Sequence, residues 1–370
     1  MVINPPLLFV SGLFFLALSS ALYLVAFLIA TAVLHFGRRR IPHARAKQVL
    51  LASLFLPPLM AAVPTLSGAT LRHSHARPLL EHHSAACRDL FTNLFAWDGS
   101  GNEVASRLAG SLVNGLAWLL VAFGLFYLVR LVVATVQLER GLAPYLSSPS
   151  PRLARAVAHV GLRSKINGEQ FYECPIPMTY SSVLGLSHIR CVLSKELASS
   201  ATDEELNAIV AHESMHLRFR DVEATFLVSI LNCLFFYLRP VRLLARRWRE
   251  ETELACDAAA VKVVGDPLAM ATAILRVSGT PTGSRLSGPL PAVALAFADD
   301  EACLTSRRVE NLIAQAQKSA LPVARESRLQ SVSGWILTLA LAGIGVSLLL
   351  SAQAVCYAHC SLEAVARLLP

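Results

Sequence analysis

The chain has 370 residues, 54% of them apolar and only 16% charged, with a formal net charge of +8. Its mean hydropathy of +0.52 excludes an ordinary soluble protein, because that much apolar surface must be hidden in lipid or against partners. The positive charge sits at the ends of apolar runs, which marks basic flanks beside membrane spans and excludes direct nucleic-acid binding.

Residues 7–34 form an uncharged apolar run, long enough for one tilted membrane span. No basic residue precedes it and a basic cluster follows it (Arg38, Arg39, Arg40, Arg45, Lys47), which is the reverse of a signal peptide. The positive-inside rule puts that cluster in the cytosol and the N-terminus outside. A second run, Val49–Leu66, contains Pro57, Pro58 and Pro64, which a membrane helix tolerates when its neighbours satisfy the freed carbonyls. Residues 67–108 read as an outer loop, and its His73, His75, His82 and His83 as incidental. A third span covers Leu112–Val133, with Arg130 and Arg140 at its cytosolic end, and a last one Val332–Ala352, preceded by Lys318, Arg325 and Arg328.

The expected protein is therefore mostly α and multi-pass, a membrane protein with its N-terminus outside. Residues 1–134 hold three spans, 135–330 a cytosolic domain, and 331–370 the last span with a short outer tail. The eight cysteines form no CxxC pair, which argues against a zinc ribbon or a thioredoxin-type site. Cys87, Cys356 and Cys360 fall outside the membrane, where a disulfide can form. The other five read as small buried hydrophobes.

The cytosolic segment reads as α+β. Thr179–Val183 and Ile189–Leu193 are β-prone and predict a hairpin turning at Gly185. Thr202-Asp203-Glu204-Glu205 is a capping-box pattern opening a helix with Leu206, Ile209, Val210 and Leu217 on one face. A second helix is expected from near Arg249 to Gly265, stopped by Pro267. Residues 279–298, rich in Gly, Pro and Ser, read as a surface linker.

The capped helix carries His212-Glu213-Ser214-Met215-His216. Histidines four apart on a helix point the same way and can share one metal ion. Glu213 can then take the proton of a metal-activated water without itself ligating the metal. On the second helix, Glu253 and Asp257 are also four apart, among small and apolar neighbours. Buried carboxylates need partners. Glu253 completes a His₂Glu set with an open fourth position, the arrangement of catalytic zinc, and Asp257 can accept from the free ring nitrogen of a liganding histidine.

These motifs resemble the membrane metallopeptidases of the β-lactam-sensing Bla/Mec receptors, and are similar to the HtpX and CAAX prenyl protease type. The likeness rests on His212–His216 followed by Arg220-Asp221, on Glu253-Leu-Ala-Cys-Asp257, and on the upstream stretches Met178–Leu186 and Ile189–Lys195 with Asp203–Leu206. It implies a gluzincin-like zinc endopeptidase with His212, His216 and Glu253 as zinc ligands and Glu213 as the catalytic base. It also implies a protein or peptide substrate, which in a signalling version is a transcriptional repressor. The receptors carry a sensor domain after the last span, whereas about 18 residues follow it here, too few for a domain. The alternative function is a catalytically silent membrane receptor or scaffold of the same fold.

If His212 and Glu253 share one ion, the apolar run Ala224–Leu238 between them cannot cross the membrane once, and it is expected to be a core or re-entrant helix. Two readings stand for Arg239, Arg242, Arg246, Arg247 and Arg249: contact with anionic lipid, or a solvated basic face. Ile189–Leu193 is a candidate edge strand for pairing with an extended substrate, or else an internal strand. Tyr180 and Arg276 are candidates to stabilise an oxyanion.

Overall fold

The computed structural model describes residues 5–37, 41–71, 103–164, 168–175, 179–185, 188–278 and 301–319. The last expected span, the histidines of the outer loop, the 279–298 linker and Cys87, Cys356 and Cys360 lie outside them. The described chain is mostly helical. Three long helices come first: α1 (Pro5–Gly37), α2 (His43–Leu71) and α3 (Glu103–Leu142). Helix α2 runs without a break through Pro57, Pro58 and Pro64. Among the described residues, two helices are long and apolar enough to cross a membrane, over Phe15–Gly37 and Trp118–Tyr145. Leu24, Leu28 and Phe36 of the first, and Trp118, Phe123 and Phe126 of the second, are exposed. Outward-facing apolar side chains in such number mark a surface for lipid or a partner.

Beyond α3 come α4 (Pro151–Ser164), strands β1 (Phe171–Cys174), β2 (Ser181–Leu184) and β3 (Arg190–Ser194), and α5 (Lys195–Ser200). They are followed by α6 (Asp203–Phe219), α7 (Asp221–Leu234), α8 (Arg239–Val264), α9 (Pro267–Ser278) and α10 (Glu301–Ser319). The hairpin forms as expected, antiparallel, with Ser181 opposite Leu193 and Leu184 opposite Arg190. Gly185 has φ +105°, and a Cβ there would meet the His188 carbonyl oxygen at 2.2 Å, so only glycine fits the turn. The strand order is β1-β3-β2, with β1 parallel to β3. Of the two readings of Ile189–Leu193, the internal one holds: β3 lies between β1 and β2, and β2 is at the edge of the described sheet.

Helix α8 begins at Arg239, ten residues before the expected start near Arg249. Charged residues there hid a helix whose apolar face is Val241, Leu244, Ala245 and Trp248, all buried. Those residues join Tyr23 of α1, Leu50 and Leu54 of α2, and Val228 and Leu231 of α7 in one core. The far half of α8 (Cys256, Ala260, Val261) belongs to a second core with α4, β1, β3, α6 and α9. One helix thus links both cores. Its arginines are not a uniform solvated face. Arg247 donates to Thr31 Oγ1 of α1 at 3.0 Å and lies over the Phe27 ring. Helix α7 leads away from Asp221 and α8 comes back, so that Cys256 of α8 meets Asp221 at 3.4 Å. Of the five cysteines expected to be buried, Cys174, Cys191, Cys233 and Cys256 are, while Cys303 is exposed.

Thr202 caps α6 with both bonds of the capping box, 3.2 Å to the Glu205 N–H and 2.9 Å from its own N–H to Glu205 Oε2. Arg276 also donates to Glu205 Oε2, at 2.7 Å. Burial alone would raise the Glu205 carboxyl, but Arg276 and the Thr202 N–H hold it below its ordinary value. The stability this supplies is present above the unfolded carboxyl range and is lost as the pH falls through the lowered value. Thr202→Ala is expected to cost about 1 kcal/mol, read by thermal or denaturant unfolding at neutral pH.

Candidate metal centre

The helical repeat sets the geometry of the site from α6. His212 and His216, one turn apart, bring their Nε2 atoms to 3.1 Å with their rings near perpendicular, at 83°. From α8, Glu253 places Oε2 3.4 Å from His212 Nε2 and Oε1 3.7 Å from His216 Nε2. The two Nδ1 atoms face carboxylates instead. His216 Nδ1 lies 2.9 Å from Asp221 Oδ2. His212 Nδ1 lies 2.9 Å from Asp257 Oδ1, close but oblique to the ring N–H, an ion contact rather than an aligned hydrogen bond. With Nδ1 held protonated against a carboxylate, each ring turns the lone pair of Nε2 toward the other ring and toward Glu253. Two lone pairs and a carboxylate pointed at one spot repel one another unless a cation lies between them. His212, His216 and Glu253 thus fit a divalent metal of the zinc type, with one histidine buried and the other two donors half-buried.

The electrostatics run the same way. Burial alone would lower His212, but Asp257 and Glu253 hold it up, at about 10. Burial would raise Glu253, yet Arg308 and the two imidazoles keep it well below the usual carboxylate range. Without a metal the cleft draws in a proton and a guanidinium. A second grouping, His216, Asp221 and Cys256, offers donors just as close together. Burial and the charges of Asp221 and Glu253 push the Cys256 thiol far up. The thiol donates to Asp221 Oδ2 at 3.4 Å, so in this arrangement the cluster supports His216.

Glu213 lies in the same cleft as the three donors, a cavity of about 350 Å³. Its Oε1 accepts a 2.7 Å hydrogen bond from Ser181 Oγ of β2. Four partners of the site were not picked out by sequence reasoning. Asp221 follows Arg220, whose φ of 56° is left-handed. That turn ends α6, starts α7 and folds Asp221 back onto His216. Lys47 of α2 in turn donates to Asp221 Oδ1. Ser181 fixes Glu213. Arg308 of α10 grips Asp257 through Nε at 2.8 Å and Nη2 at 2.7 Å, and reaches Glu253 Oε2 at 3.1 Å. In the sequence Asp221 appeared only in the Arg220-Asp221 pair, Lys47 only in the basic cluster and Ser181 only within Met178–Leu186, each without a role at the site, and Arg308 carried no signal. Of the two oxyanion candidates, Arg276 is paired with Glu205 and does not line the cleft. Tyr180 stays near Glu213: burial and that charge push its phenol up to about 12, despite a bond from Ser182 that lowers it.

Residues 15–284 match the family model described as BlaR1 peptidase M56. The chain belongs to this peptidase family. No curated protein matches it. Membership in M56 makes the chain a member of a metallopeptidase family and implies a metal, and the His₂Glu donor set described above suits one. All of the expected site residues fall inside the matched stretch, whereas Arg308 lies beyond it. Arg308 is largely shielded, and losing it would leave Asp257 and Glu253 without their guanidinium. Arg308→Ala is expected to destabilise the metal-free protein by about 3–5 kcal/mol, seen as a lower unfolding midpoint. Arg308→Lys, which keeps the charge but not the two-pronged grip, should recover part of that loss.

Proposed function

We propose that the protein is a membrane-embedded zinc endopeptidase that hydrolyses a peptide bond of a cytosolic or membrane-associated protein. Its zinc ligands are His212, His216 and Glu253, Glu213 is the general base, and Asp257 and Asp221 orient the two histidines. The observation that carries this reading is the convergence of both Nε2 atoms and the Glu253 carboxylate beside Glu213 in one cleft. Zinc held there supplies Lewis acidity that activates water at neutral pH and polarises the peptide carbonyl.

The chain's own groups do the rest. Ser181 holds Glu213 Oε1, so Oε2 is left to take the proton of the attacking water and return it to the leaving amine. Strand β2 pairs with β3 on one side and has no strand partner on the other among the described residues. Ser181, Ser182 and Val183 line the cleft, so an extended substrate pairing with that free edge passes the base and the donors. A backbone held in this way is presented whatever its sequence.

In this reading residues 135–330 form a gluzincin-like cytosolic domain, with spans in 1–134 and 331–370. Helices α7 and α8 fold back at the inner membrane surface, in a multi-pass protein of the bacterial cytoplasmic membrane with its N-terminus outside. Support comes from the apolar helices Phe15–Gly37 and Trp118–Tyr145, the basic cluster between α1 and α2, and the family. That the substrate is a transcriptional repressor rests on the resemblance to the Bla/Mec receptors.

Glu213→Gln should abolish proteolysis while zinc stays bound at one ion per chain. Glu253→Ala should lose the metal, as measured by metal analysis of purified protein. A wild-type protein free of stoichiometric zinc after zinc loading would sink the assignment. Single cysteines at the exposed positions 204 and 262 should both label from the cytosolic side. Labelling from opposite sides would overturn the topology.

A further inference from the structure

A second cavity, of about 250 Å³, opens beside the candidate active-site cleft and shares Val183, Val222 and Thr225 with it. Leu131, Leu138 and Leu142 of α3, Leu184 of β2 and Phe226 of α7 make its walls apolar. The hydroxyls that border it are spent within their own helices, Thr135 on the Leu131 carbonyl and Ser229 on the Thr225 carbonyl, each at 2.8 Å. Arg190, also on its border, lies over the Tyr172 ring, and Glu139 and Arg249 have interactions of their own. The His188 ring stands exposed at the rim, so a polar group seated deeper among the leucines would find few free partners, which leaves that part of the cavity to an apolar one. Its volume is below the roughly 300–1,000 Å³ of sites for whole small molecules, so it suits a single side chain.

Strand β2 connects the two cavities. Ser181 is bonded to Glu213 at one end, and Val183, Leu184 and Gly185 border the apolar cavity at the other. Two or three residues of strand separate them, about 7–10 Å. A substrate strand pairing antiparallel with β2, the more stable ladder per residue, runs from the apolar cavity toward the donors. We propose that this cavity is a specificity pocket of the peptidase. It would receive a large apolar side chain (Leu, Met or Phe) of the substrate, two or three residues before the bond that is cut. Its α3 wall belongs to the candidate span Trp118–Tyr145, so the segment read is one offered at the membrane surface. This inference rests on the peptidase reading and names the substrate feature which that reading leaves open.

The test uses the full chain in detergent, loaded with zinc, and a peptide library prepared from denatured cytosolic proteins. Cleavage products should be enriched in Leu, Met or Phe at the second or third residue before the cut. Thr135→Trp, which fills the cavity, should lose roughly 10–100-fold in kcat/KM on peptides with Leu there and far less on peptides with Gly or Ala. Should that variant fail to fold, Leu142→Ala, which enlarges the cavity, should move the preference toward Phe and Trp. Binding gives a readout without turnover: the Glu213→Gln protein should hold a labelled Leu peptide roughly 10-fold or more tighter than its Ala counterpart. Cleavage with no apolar preference at those positions, or with the preference after the cut, overturns the pocket and leaves the peptidase reading standing. Zinc-loaded wild-type protein that cuts no peptide overturns both.

Discussion

Two imidazole Nε2 atoms 3.1 Å apart, with a carboxylate against both, form the contact on which the rest of the structure depends. Such an arrangement is unstable by itself. It persists because each ring is held from behind by an aspartate, Asp257 for His212 and Asp221 for His216. Those aspartates are buried and need cations of their own. Arg308 supplies one, and Lys47 supplies the other. Charge therefore alternates outward from the centre: imidazole, carboxylate, then guanidinium or ammonium. Each layer orients the one inside it.

That alternation crosses the boundary between the two cores. Lys47 stands on α2, among the apolar helices, and its carboxylate partner stands at the start of α7. His43, also of α2, meets Glu251 of α8 at 2.6 Å. Helix α8 packs Trp248 and Leu244 into the α1–α2 core and Cys256 and Ala260 into the other, with Glu253 between the two sets. The third candidate donor thus sits where the core around the candidate site and the apolar bundle share one helix. A shift of α2 against α8 would be felt at Asp221 and Glu253 together.

Much of this was legible in the sequence where the determinants are local. A helix repeat of 3.6 residues sets His212 against His216, and the capping box marked the start of that helix. Gly185 marked the turn of the hairpin. The reading fell short where neighbours in space decide. Ile189–Leu193 could be read as an edge or as an internal strand, because nothing in its own residues shows that β1 covers it. Arg239–Arg249 looked like a basic flank because the apolar stripe beneath it is spaced among charges. Arg276 looked available for catalysis until Glu205 was seen to occupy it.

The sequence by itself determined the family likeness and the candidate donors of the site. Apolar runs, basic flanks and residues four apart on helices are properties of nearby positions, and backbone geometry turns them directly into structure. Only the tertiary structure decided what surrounds those donors. Asp221 reaches His216 through a left-handed residue that no spacing rule predicts. Ser181 reaches Glu213 across a strand–helix contact, and Arg308 comes from a helix far along the chain. These partners are chosen by packing. Packing brings together residues whose positions in the sequence carry no mark of one another.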